Sequence, residues 1–223
     1  MIIDEQSFLK DVATHQLHII LDDGVYRHIR FKRPESGCMH FDLVTWPGYL
    51  AYSGDMGCYV FSRLNDMFEF FRTDREYSQR DGRQLRINLG YWAEKLQAVD
   101  GSRHQASATE FSFEKFSRVI CDIRMDWMRN GGLSKDDRRD LWEAVREQVL
   151  DKAEDGDEHV AYNAANEFWE KYHGRTFQFQ DLWDYNFTEY TYRFVWCCYA
   201  LAWGIKFYDE AKALTAGHES LVR

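Results

Sequence analysis

Between His28 and Lys32 the run Tyr26-Arg27-His28-Ile29-Arg30-Phe31-Lys32-Arg33 alternates polar with apolar side chains, and Phe41-Asp42-Leu43 repeats the rhythm beyond the turn Pro34-Glu35-Ser36-Gly37. A period of two is that of an extended strand with one face toward a core. Ile29 and Phe31 then share an oily face with Phe41 and Leu43. His28, Arg30 and Lys32 fall on the opposite face, beside His40 and Asp42.

Working outward, short runs rich in β-branched and aromatic residues cover 17–22, 25–33, 38–46, 49–53 and 58–61. They are separated by Asp22-Asp23-Gly24, Pro34-Glu35-Ser36-Gly37, Trp46-Pro47-Gly48 and Gly54-Asp55-Met56-Gly57, each with a residue suited to a tight turn. This pattern predicts a five-stranded antiparallel meander. A short helix is expected ahead of it, from Ser7 to Gln16. From Arg63 onward the spacing changes to three and four, with Leu64, Met67, Phe68 and Phe71 on one stripe. Thr73 to Asn88, which carries Arg80 and Arg83 around Gly82, reads as a charged loop able to contact a partner.

A helix over Tyr91 to Ala98 and a polar connector from Asp100 to Thr109 place a boundary between an α+β sheet region, 1–100, and a helical region, 110–223. In the second region Phe113, Phe116, Ile120, Ile123 and Trp127 form a helical stripe. Ser134 with Asp137 caps the next helix, and a third is expected over His159 to Tyr172, burying Phe168 and Trp169. An extended piece follows at Thr176 to Phe179. The last helix, Thr188 to Leu214, is apolar nearly all round in its middle, which suits the centre of a bundle. The fold class is therefore α+β: a sheet flanked by helices, then a helical bundle.

Composition narrows the setting. A chain of 223 residues buries a sizeable core without staples, and with 17% aromatic residues and two prolines disorder is not expected. Five cysteines without a regular framework, and no leader segment ahead of them, predict a reducing cytosol. Phe194 to Ile205, the longest apolar run, is too short for a membrane span. The net charge of −9 favours solubility and repels duplex nucleic acid weakly.

The chain contains no phosphate-binding glycine loop, no dinucleotide fingerprint, no C-x-x-C pair, no H-E-x-x-H and no G-x-S-x-G elbow. No cofactor and no metal site is expected. Of the chemistry that could be present, the polar sheet face offers His28, His40 and Asp42 as acid–base candidates, with Arg30 and Lys32 to hold an anion. The ordinary alternative is an open sheet face laced with cross-strand ion pairs. Asp55 in its turn is a further binding candidate. Trp183 and Tyr185, within the aromatic stretch from Phe177 to Tyr190, are anchors for a protein partner or else part of the core. Cys197-Cys198 reads as buried packing or, less simply, as a redox pair.

The segments His28-Ile29-Arg30-Phe31-Lys32-Arg33-Pro34, Phe41-Asp42-Leu43 through Trp46-Pro47-Gly48, Gly54-Asp55-Met56-Gly57, Tyr91-Trp92 with Glu94-Lys95-Leu96, and Trp196 through Gly204 resemble a group of uncharacterised proteins encoded by tailed bacteriophages and prophages. The resemblance spans nearly the whole chain and implies a bacterial cytoplasm during infection. It carries no activity and no functional residue. Together with the missing motifs it makes an accessory protein that binds and inhibits a host or defence protein the leading expectation. The alternative is a nucleic-acid-binding or phosphoester-processing enzyme built on the polar sheet face.

Overall fold

The change of side-chain period near Arg63 marks the passage from strands to the first of the later helices, although short strands recur beyond it, in the computed structural model, which describes residues 3–72, 85–100, 107–129, 132–155 and 157–221. Helix α1 (Glu5–Val12) opens under Asp4, whose carboxylate accepts the Ser7 N–H at 2.8 Å. There follow β1 (Gln16–Asp23), β2 (Tyr26–Lys32), β3 (Phe41–Trp46), β4 (Tyr49–Gly54) and β5 (Gly57–Ser62). Next come α2 (Met67–Arg72), α3 (Leu89–Ala93), β6 (Leu96–Val99), β7 (Thr109–Phe111) and α4 (Phe113–Arg129). Helix α5 (Lys135–Val145) continues through a π turn at Arg146–Leu150 into α6 (Asp151–Glu154). The chain ends with α7 (Glu158–Glu167), β8 (Trp169–Tyr172), β9 (Arg175–Gln178), a 3-10 turn at Leu182–Asp184, β10 (Thr188–Tyr190) and α8 (Tyr192–Leu221).

Strands β1 to β6 form one antiparallel sheet in chain order. The α+β class holds, with six strands where five were expected. The additional strand, β6, begins within the stretch expected as a helix from Tyr91 to Ala98 and runs one residue past it. That helix stops at Ala93, and Leu96–Val99 pairs with the open edge of β5, Phe61 opposite Leu96 and Tyr59 opposite Val99. An unpaired edge exposes a row of backbone donors and acceptors, and β6 satisfies it.

The chain divides into two compact units, Met1–Ala108 with Tyr190–Arg223, and Thr109–Glu189. The chain leaves the first unit after Ala108 and returns to it at Tyr190. The last helix differs from the sequence reading. It begins at Tyr192 rather than Thr188, and it packs on the sheet instead of in a bundle. Ile29, Phe31, Phe41 and Leu43 share one core with Phe194, Trp196, Ala200 and Leu201 of α8. Gly204 permits this close approach, because a β-carbon there would stand 3.1 Å from both Leu43 and Phe31. Trp196 donates its indole N–H to Asp11 at 3.0 Å, and Tyr208 its hydroxyl to Asp22 at 2.7 Å, so the helix is pinned at two heights. Cys197 and Cys198 are buried here, and burial pushes both thiols well above the ordinary range. No helix among the described residues is long and apolar enough to cross a membrane.

The second unit has its own core, in which Phe116 and Ile120 meet Leu141, Val145, Ala165 and Phe177. Helix α7 ends at Glu167, short of the expected Tyr172. Trp169–Tyr172 pairs instead with Arg175–Gln178, through a two-residue turn in which His173 and Gly174 both take positive φ, 50° and 82°. Phe168 is buried as read from the sequence, but Trp169 is 65% exposed.

Ser134 caps α5 with a reciprocal box, its hydroxyl accepting the Asp137 N–H while the Asp137 carboxylate accepts the Ser134 N–H. His173 adds a third bond to that carboxylate at 2.9 Å. Ser134 and then His173 hold the Asp137 carboxyl down at about 2 from an ordinary 3.8. A carboxyl depressed in the folded state stabilises it above the unfolded value, and that contribution fades as pH falls toward the folded one. Asp137→Asn is therefore expected to flatten the loss of stability of this unit between about pH 4 and pH 2, read by urea unfolding along a pH series. An unchanged acid slope would remove Asp137 from the account.

Candidate functional site

The register of β2 against β3 sets Arg30 opposite Asp42, with His28 one position along on the same face. Asp42 accepts Nε and Nη2 of Arg30, both at 2.8 Å, and Nε2 of His28 at 2.8 Å. Burial alone would raise the Asp42 carboxyl. The bonds from Arg30 and then His28 outweigh it, and the group stays below the usual carboxylate range. His28, Arg30 and Asp42 thus form one charge-compensated cluster on the polar face. The sequence reading placed these residues together, and the pairing geometry does so.

His40 lies just before β3, in the loop 33–40, and its Nδ1 reaches the Gly37 carbonyl at 2.7 Å and Asp55 Oδ1 at 3.0 Å. The other Asp55 oxygen accepts the Met39 N–H, and the Asp55 N–H donates back to the His40 carbonyl at 3.1 Å. On the far side His15, buried, meets the Met39 carbonyl through Nε2 at 2.9 Å. Burial lowers the His15 pKa, which favours a neutral ring that donates this bond. Arg193 of α8 also donates to the Asp55 carbonyl at 3.0 Å. Asp55, a binding candidate by sequence, here spends both carboxylate oxygens on holding the loop.

Within this clamp Glu35 and Met39 both take left-handed backbone conformations, φ 57° and 60°, which non-glycine residues adopt only where surroundings enforce them. The held loop and strand β2 enclose an open depression of about 430 Å³ lined by Arg30, Lys32, Glu35, Ser36, Gly37 and His40. Three of the candidate residues, Arg30, Lys32 and His40, are therefore brought to one hollow. Glu35, Ser36 and Gly37 were read only as a turn. The four-residue turn expected between 25–33 and 38–46 is in fact an eight-residue loop, because β2 ends at Lys32 and β3 begins only at Phe41.

Trp183 and Tyr185 belong to the other unit. Trp183 sits on the 3-10 turn Leu182–Asp184, preceded by Asp181 in a left-handed conformation at φ 56°. Leu182 is buried and roots the turn, while Trp183 is 72% exposed. Tyr185 is exposed and stacks on buried Phe187, with ring centroids 6.1 Å apart and planes 13° from parallel. Trp169 is a further exposed tryptophan, missed because its spacing from Ala165 suits a helix. Arg80 and Arg83 lie outside the described residues.

Among the described residues no three His, Cys, Asp or Glu side chains gather in a way that could hold a metal ion. No protein-family model matches the chain, and comparison with curated proteins and with solved structures returns no match.

Proposed function

We propose that the protein is a non-catalytic accessory factor, phage-encoded and acting in the bacterial cytoplasm, that binds a host or defence protein and blocks it. The observation that carries this reading is Trp183, a large amphipathic side chain held in water by a turn that its neighbour Leu182 roots in the core. Partner binding would remove that indole from water at little cost in conformational freedom, which is why tryptophan recurs at binding hot spots. Tyr185, backed by Phe187, extends the display. The setting rests on the resemblance of segments such as Trp196–Gly204 to phage proteins.

The test is affinity capture from bacterial lysate, followed by measured binding of the captured protein to the purified chain. Trp183→Ala is expected to weaken that binding at least about tenfold, with the unfolding midpoint unchanged. Equal binding by the variant, or no protein retained beyond a tag-only control, would overturn the proposal.

The competing reading is a nucleic-acid-binding or phosphoester-processing enzyme with His28 or His40 in acid–base roles. Internal pairing weighs against those acid–base roles: His28 is engaged by Asp42, and His40 by Gly37 and Asp55. In its favour stands the hollow beside Lys32.

A further inference from the structure

We propose that the depression between β2 and the loop 33–40 is a binding site for a small phosphomonoester, its phosphate on Lys32 and the outer edge of Arg30 and its hydroxyl groups toward Glu35. This site goes beyond the protein-binding reading and does not depend on it. Four observations carry the proposal.

The first is the donor set. Arg30 gives Nε and Nη2 to Asp42, which leaves the hydrogens of Nη1 for a ligand and locks the guanidinium in place. Lys32, on the same face two residues on, has no carboxylate partner among the described residues. The Ser36 hydroxyl accepts the Cys38 N–H at 3.1 Å, so its own hydrogen remains to donate. Two cations and a hydroxyl around one hollow suit a group with several anionic oxygens.

The second is rigidity. The loop is held by Asp55 on one side and His15 on the other, and two of its residues are kept in left-handed conformations. A loop that is already ordered loses little freedom when a ligand arrives. The third is size. About 430 Å³ lies in the range of small-molecule pockets and exceeds what a bare phosphate fills.

The fourth is Glu35, which discriminates between ligands. A carboxylate on the rim repels a bare dianion, but it accepts hydrogen bonds from the hydroxyls of a sugar phosphate. A free nucleotide and the 5′ end of a nucleic-acid strand share this chemistry.

Calorimetric titration of the full chain at low salt tests the site with four probes: inorganic phosphate, adenosine 5′-monophosphate, and a short single-stranded oligonucleotide with and without a 5′-phosphate. Adenosine 5′-monophosphate should bind more tightly than inorganic phosphate. Lys32→Ala should weaken it about tenfold, the loss of one charge-assisted bond. Glu35→Gln should tighten inorganic phosphate severalfold by removing a like charge. Preference for the 5′-phosphorylated strand over adenosine monophosphate identifies a strand end as the ligand, and the reverse order identifies a free nucleotide. The proposal is overturned if no phosphate probe gives saturable heat, or if neither Lys32→Ala nor Glu35→Gln alters the affinity in a chain whose unfolding midpoint is unchanged.

Discussion

Replacing Gly54 by alanine is expected to cost about 3 kcal/mol of stability, toward the upper end of the range for overpacked positions. Gly54 faces Phe41 across β3 and β4, and a β-carbon there would lie 2.2 Å from the His40 carbonyl oxygen and 2.8 Å from the Phe41 α-carbon. Both are backbone atoms, so no rotamer change relieves the contact. The strands must part at the point where Asp55 clamps the loop 33–40. The variant should therefore lose stability in urea unfolding, and fluorescence or proteolysis should report a loosened loop. A change within about 0.5 kcal/mol, the usual scatter of surface substitutions, would show that the close approach is not binding on the fold.

The second large effect is expected at Asp66. Arg27 is only 8% exposed, although it stands on the apolar side of β2, and both its terminal nitrogens reach Asp66 at 2.9 Å. Its guanidinium also lies 4.7 Å from the centre of the Phe68 ring. Asp66 in turn accepts the Phe68 N–H at 2.9 Å and so anchors the start of α2. Asp66→Ala would leave a desolvated cation with only Asp22, 4.0 Å from its Nε, as counter-charge and would uncap the helix, a loss of about 3 kcal/mol. Arg27→Leu with Asp66→Ala, which removes both charges, should recover much of that loss. A double variant no more stable than Asp66→Ala would contradict the ion-pair account. Both are read by the urea midpoint at constant slope.

These two positions show where sequence reasoning reaches and where it stops. Alternation in His28-Ile29-Arg30-Phe31-Lys32 and Phe41-Asp42-Leu43 was enough to put His28, Arg30 and Asp42 on one face, because the pleat sends successive side chains to opposite sides. The same rule should have sent Arg27 inward beside Ile29. Its bidentate partner lies 39 residues away, and only the fold reveals the pair. Short strands were the other blind spot. Leu96–Val99 and Trp169–Tyr172 each follow a helix, and their spacing continues the helical period, so nothing local marks the switch. What decides them is a partner strand: the open edge of β5 for one, and β9 across the His173-Gly174 turn for the other.

The hollow beside Lys32 was half legible for a related reason. Its cations stand on a strand and follow the pleat. Its remaining wall is a loop shaped by His15 on one side and, on the other, by Asp55 and the bare backbone of Gly54, contributions from two other segments. The exposed aromatics divide in the same way. Trp183 could be named as an anchor or as core from its type alone, and only the buried Leu182 beside it decides which side faces water.

The inner face of the sheet is closed by α8, while residues 109–189 form a separate unit within the same chain. On the ribosome this order of parts has a temporal consequence. The intervening unit has all its residues at hand by Glu189, whereas Phe31 and Phe41 must wait for Phe194, Trp196 and Gly204 to emerge before their oily side is covered. During that interval the nascent sheet offers bare aromatic surface to the cell's chaperones, and a stalled chain would present it for as long as the stall lasts.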